Sequence, residues 1–348
     1  MKFFKDKLIV NIIAVFMVSI LLIAIWTGWI RVGLNLPFTH GMANHGAIFV
    51  LSFTLSLVFF YFIYESRKKK YYLIPIFNML SVVPLLLNLN KFAFLLLTLI
   101  AIWFFLFLFS ETNSFSNVRK IILLSSTLMM IVGNFKLFMT GFYPIAIPFW
   151  TGAFILILLS AFTTDTNFTG YRKMVSLLLC LLFILTAFIP FHANGEYFLG
   201  CLLISCSFVI PFIVLKIKSP FKTVYILGII LSHLFLLITG LIYIIGTIMV
   251  FQYDASVHSF FIGYILTAII TLIEVNNRFK ITDEGVFNTA EGYFWILSIA
   301  ASVLLRVYAD FEGLEEYRKY SAKITGVLIL WFFSINIYRL IRINKNHV

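Results

Sequence analysis

The stretch Leu36–Lys70, LPFTHGMANHGAIFVLSFTLSLVFFYFIYESRKKK, decides how the chain is read. From Gly46 to Tyr64 it carries no charged side chain. At about 1.5 Å per residue, a helix over that run is roughly as long as the ~30 Å hydrocarbon core of a bilayer. Four basic residues, Arg67 to Lys70, close the run, and two histidines, His40 and His45, stand where it opens. A basic flank marks the cytoplasmic side of a spanning helix, so this one enters from outside. Histidine is costly inside lipid, so the two at the mouth need a reason to be there.

The rest of the chain repeats the pattern. It has 348 residues, 62% of them hydrophobic and 11% charged, where a soluble domain carries about 25% charged. Mean hydropathy is +1.04. Twelve apolar windows can be drawn, at about 8–30, 45–64, 72–89, 92–110, 120–138, 144–163, 174–191, 197–215, 224–246, 257–275, 292–309 and 324–341. The expectation is an all-α, polytopic integral membrane protein of about twelve transmembrane helices, with 1–348 as a single transmembrane domain. The first apolar run is long for a signal peptide and lacks a small-residue cleavage site, so it reads as a retained first span. Pro75, Pro84 and Pro148 make windows 72–89 and 144–163 the least secure as straight helices, and predict helices kinked or irregular near Pro84 and Pro148. The cysteines, Cys180, Cys201 and Cys206, sit inside apolar runs with no metal-type spacing.

Charge gives the topology. With the N-terminus in the cytoplasm and twelve spans, 19 of the 26 basic residues fall inside and 7 outside. That split predicts both termini in the cytoplasm of a multi-pass inner-membrane protein. The net charge of +12 is then mostly a topology signal, with some attraction to anionic lipid, and a nucleic-acid partner is not needed to explain it. The lipid bilayer is the partner that composition implies.

On that topology His40, His45, His192 and His258 lie toward the outer face, His233 lies within the window 224–246, and His347 is in the inner tail. His45 and His258 open windows that run in the same direction. "HGAIFVLSFTLSLVFFYFIYESR" and "HSFFIGYILTAIITLIEVNNR" also share Glu and then Arg at the inner end. Neutral imidazole ligates haem iron, copper and zinc, and Gly46, Ala47, Ser259 and Gly263 are small neighbours that let a flat group slide between helices. Each histidine can instead hydrogen-bond to headgroups, water or a loop carbonyl. His233, at lipid depth, needs a partner or a cavity. His40 and His45 diverge by about 140° on a helix, and Gly41 marks a helix start, so His45 is the inward one. Arg306, in "AASVLLRVYADFEG", either clamps a ligand carboxylate or pairs with Asp310 one turn on. Lys136 either snorkels or meets an anion. Glu274 reads as an interfacial anchor and "YADFEGLEEYRKYS" as a short amphipathic surface piece. No phosphate loop, G-x-S-x-G, H-E-x-x-H or C-x-x-C is present, and no catalytic residue can be assigned.

The outer histidine of "HGAIFVLSF", with "VHSFFIGYIL" and "ASVLLRVYADF" in that order, resembles the NnrS-like membrane proteins, twelve-helix relatives of the haem–copper oxidase catalytic subunit. The resemblance implies haem b near the outer face, held by His45 and His258 with Arg306 beside it, and a role in electron transfer or nitric oxide tolerance with a redox partner. It admits copper, but no copper ligands can be identified. The windows at 144–163 and 174–191 hold no histidine and that at 257–275 holds one, so a dinuclear oxygen- or NO-reducing centre is not expected. The rival readings are a cofactor-free small-solute transporter using the polar outer cleft, and a structural or assembly subunit. Whether the protein is an enzyme and its oligomeric state are not readable.

Overall fold

The computed structural model describes residues 2–111, 114–162, 170–214, 222–280 and 289–346; side chains at 2–8, 193, 222–223, 274–280, 289 and 339–346 fall outside the description. The expected anchor role of Glu274 lies on one of those side chains. The fold is all-α, with no strand among the described residues. In chain order the helices are α1 (Lys2–Arg31), α2 (Met42–Ser66), α3 (Leu73–Leu80), α4 (Val82–Leu86), α5 (Asn90–Ser110), α6 (Asn117–Thr140), α7 (Ile147–Phe162), α8 (Tyr171–Ala187), α9 (Glu196–Val214), α10 (Lys222–Gly246), α11 (Tyr253–Ile273), α12 (Thr289–Phe311) and α13 (Glu315–Asn346). The helix of α11 runs on to Lys280.

Among the described residues, nine helices are long and apolar enough to cross a membrane: α1, α2, α5, α6, α9, α10, α11, α12 and α13. The windows at 72–89, 144–163 and 174–191 fall on shorter pieces, α3 with α4, α7, and α8. Outward faces carry large apolar side chains such as Phe92, Leu106, Phe109, Met174, Leu185 and Phe212. An apolar surface on that scale is a membrane or interaction surface, since water would not support it.

Consecutive helices pack as neighbours, and α1 closes the bundle against both α2 and α13. Of the 16 residues of α7, all but Ala161 are buried. A helix that is apolar all round belongs in the interior, and α7 packs on α6, α8 and α9 there. α2 and α11 are also inner helices, with 78% and 72% of their apolar windows buried against 33% for α1.

The prolines act differently in the two weak windows. The first is broken at Ser81, between α3 and α4, with Pro84 three residues into α4. Asn44 Nδ2 donates to the Leu85 carbonyl there at 2.9 Å. Near Pro148 the window is irregular without a kink: a 3₁₀ turn, Tyr143–Ile145, precedes α7, and Pro148 is the second residue of α7. A proline in the first turn gives up an N–H that has no intrahelical acceptor anyway, so it starts the helix instead of bending it. The segment expected to lie on the surface is also different. Its first half ends α12, and from Glu315 it forms the first turns of α13, tied inward by a buried ion cluster.

Candidate functional site

Gly41 takes φ 77°, a left-handed turn that favours glycine, and a 3₁₀ turn, Met42–Asn44, follows it. Asn44 is buried and fixes this start. Its Nδ2 donates to Asn90 Oδ1 at 2.7 Å as well as to Leu85, and Tyr143 Oη donates to its Oδ1 at 3.1 Å. Burial pushes the Tyr143 hydroxyl above its usual range, so it remains a neutral donor. His45 is the next residue, on the helix and half-buried, while His40 stays exposed in the preceding loop.

His45 and His258 line one cleft. It is walled by α1, α2, α11, α12 and α13 and encloses about 120 Å³, smaller than the 300–1,000 Å³ typical of ligand sites. Most of its wall is apolar, with Phe49, Val50, Phe261, Ile262 and Ile329 below the histidines. Small residues let the walls approach: a Cβ on Gly28 would lie 3.5 Å from His45 Cδ2. Of the small neighbours expected from the sequence, Gly46 lines the cleft. Gly263 and Ser259 instead face α10, the first against the Phe235 ring and the second donating to the Phe235 carbonyl at 3.1 Å. Gly28, Ala24, Ala322 and Gly326 do the work at the cleft instead. Trp29 Nε1 donates to the Ala322 carbonyl at 2.8 Å and ties α1 to α13 across it.

The two rings are held differently. His258 Nδ1 lies 2.7 Å from the Asp254 carbonyl. A carbonyl only accepts, so the proton sits on Nδ1 and Nε2 keeps its lone pair. That is the second-shell bond that usually orients a metal-bound imidazole. His45 Nδ1 is buried with no hydrogen-bond partner among the described residues. Two cations complete the site. Arg306 lines the cleft and is buried, its Nε donating to Asp310 Oδ2 at 3.1 Å and Nη1 to the Arg318 carbonyl at 3.3 Å. Arg31 ends α1, lines the same cleft and pairs with Asp254 at 3.2 Å. Reading the sequence placed Arg31 on the outer side but not in the site. The available signal was its depth, since it ends its helix at the level where His45 and His258 open theirs.

The other candidates lie elsewhere. His192 Nδ1 pairs with Glu196 Oε1 at 2.5 Å beside a second, polar hollow. His233 is buried in α10. Its Nδ1 donates to the Ile229 carbonyl at 2.7 Å, its ring meets Tyr264 edge-on, and Nε2 has no partner among the described residues. Lys136 Nζ lies 4.8 Å from the Phe149 ring centroid, a cation–π contact away from the cleft.

Among the described residues no three His, Cys, Asp or Glu side chains gather to hold a metal ion. Two imidazoles are too few for a tetrahedral zinc centre. They serve only a group that brings its remaining ligands with it. No curated protein and no solved structure matches the chain. A family model described as a domain of unknown function, DUF8744, spans residues 9–340, and the chain belongs to that family.

Proposed function

We propose that this protein is a multi-pass inner-membrane haem protein with about twelve spans and both termini in the cytoplasm. The cleft between α2 and α11 would hold haem b near the outer face. The observation that supports this reading is that His45 and His258, 213 residues apart in sequence, line one apolar cleft. His258, through Nε2, and His45 would hold the group. Arg306 and Arg31, at the same end, would pair with the carboxylates of the group. The Asp254 carbonyl holds the His258 tautomer. Gly46 leaves open space beside His45, Gly28 and Gly326 let the walls pack against His45 and Trp29, and the apolar wall below excludes water. Bound haem would supply one-electron chemistry, which fits electron transfer with a redox partner; the resemblance to NnrS-like proteins extends the reading to nitric oxide tolerance.

The test is the visible spectrum of full-length protein purified from haem-replete membranes. A Soret band, with sharp bands appearing on reduction, is expected. His45→Ala and His258→Ala should each abolish the low-spin signature, while His40→Ala should leave it. A colourless preparation from haem-replete cells refutes the reading.

A further inference from the structure

Helices from opposite ends of the chain carry the same device. In α2, His45 is followed by a π-helical turn, Ile48–Thr54, and in α11, His258 is followed by another, Ser259–Leu266. Nine residues after each histidine stands a buried threonine, Thr54 and Thr267. Thr54 Oγ1 donates to the Phe49 carbonyl at 2.9 Å and Thr267 Oγ1 to the Ile262 carbonyl at 3.4 Å. Phe49 and Ile262 are each four residues beyond their histidine, and both line the cleft.

A threonine hydroxyl in a helix ordinarily reaches back three or four residues. Here both reach back five, the spacing of a π turn. The backbone N–H of Thr267 also reaches Ile262 O, and that of Leu55 reaches Val50 O, again five back. Each hydroxyl therefore adds a donor to a carbonyl of the wide turn and favours it over α-helix.

The wide turn matters because it holds one extra residue. Removing that residue would turn everything above it by about 100° relative to everything below. In α2 the lower half is pinned: Asn78 Nδ2 donates to Ser56 Oγ at 2.8 Å, and Arg119 Nη1 and Nη2 donate to the two oxygens of Glu65 at 2.6 and 2.7 Å. In α11, Thr271 is pressed against Gly228 of α10. With the lower halves fixed, the π turns set which way the histidines face.

We infer that Thr54 and Thr267 are positioning residues, paired across the two helices, that hold the π turns open and so aim His45 and His258 into the common cleft. The inference rests on the two-histidine haem reading for what the rings hold, but the aim of the rings can be measured separately.

The variants are Thr54→Val, Thr267→Val and the double, with Thr54→Ser and Thr267→Ser as rescues, all in the full chain. In haem-loaded protein the serine variants keep the low-spin signature, and the double valine variant loses it from the haem that stays bound. In a background where Cys180, Cys201 and Cys206 are replaced by alanine, a His45→Cys/His258→Cys pair is bridged by a short bifunctional thiol reagent. Adding the valines lowers the bridging yield, and adding the serines restores it. Valine variants that bridge as well as their parent overturn the inference. So does a wild-type low-spin spectrum in the double valine variant, or an equal loss in serine and valine variants. A colourless parent refutes the haem reading alone, and the bridging yield still decides the aim of the helices.

Discussion

Asp310 is the keystone of the C-terminal end of α12, and replacing it with asparagine is the perturbation with the clearest size. Its Oδ2 accepts from Arg306 Nε at 3.1 Å, and its Oδ1 forms an ion pair with Arg318 Nε at 2.8 Å. Arg318 Nη2 also donates to the Asp310 carbonyl at 3.2 Å. The Asp310 side chain is 1% exposed and that of Arg306 7%, but that of Arg318 is 31% exposed. The two arginines therefore respond differently. Arg318 turns to water at little cost, whereas Arg306 is left as a buried charge without its counter-ion. Breaking a buried pair in this way costs about 3–5 kcal/mol. Since α12 and α13 are joined here by a three-residue turn, the loss falls on the docking of α13 and on one wall of the cleft. The lower end, about 3 kcal/mol, is a factor of roughly 150 in the unfolding equilibrium. The assay is unfolding of purified protein in mixed micelles, followed by tryptophan fluorescence. Arg318→Ala should cost under about 1 kcal/mol, as exposed pairs do. The double variant Arg306→Met/Asp310→Leu should recover most of the loss, because well-packed apolar replacements of a buried pair are often neutral. An Asp310→Asn cost below about 1 kcal/mol, or a double variant as unstable as the single, refutes the reasoning.

Two further outcomes follow from topology and packing. In a background lacking the native cysteines, Lys69→Cys and Glu315→Cys should react with an impermeant thiol reagent from opposite sides of the membrane; labelling from one side breaks the charge-based topology. Gly200 and Gly240 face each other across α9 and α10, and a Cβ on either would come within 2.8 Å of the other's carbonyl oxygen. Gly200→Ala and Gly240→Ala should therefore each destabilise by about 1–3 kcal/mol, as overpacking does, read as a lower melting temperature in detergent. Unchanged melting in both would mean the helices can part without cost.

The helices were legible because a long apolar run satisfies its backbone as helix. The run Gly46 to Tyr64 is read from residues one at a time. Proline effects were read less well, since Pro148 has the same letter whether it bends a helix or starts one. What decides is where the preceding turn ends, and Tyr143–Ile145 carries no strong mark of that. Arg318, after Gly313, looked like surface because its neutralising partner, Asp310, sits on the previous helix.

The site itself was half visible, and the division has a physical cause. His45, His258 and Arg306 stand out because a polar side chain near lipid is expensive and therefore informative. Gly28, Gly326 and Trp29 do not, because small and aromatic residues are ordinary in a spanning helix and gain meaning only from the neighbour they meet. That neighbour is distant in sequence: Trp29 bonds the carbonyl of Ala322, and Arg31 pairs with Asp254. The π turns are harder still to read, since an inserted residue in an apolar run leaves composition and hydropathy unchanged. Their trace is the spacing His45 to Thr54 and His258 to Thr267. A buried threonine nine residues after a histidine says nothing alone. It becomes a signal when two helices that meet at one cleft both carry it.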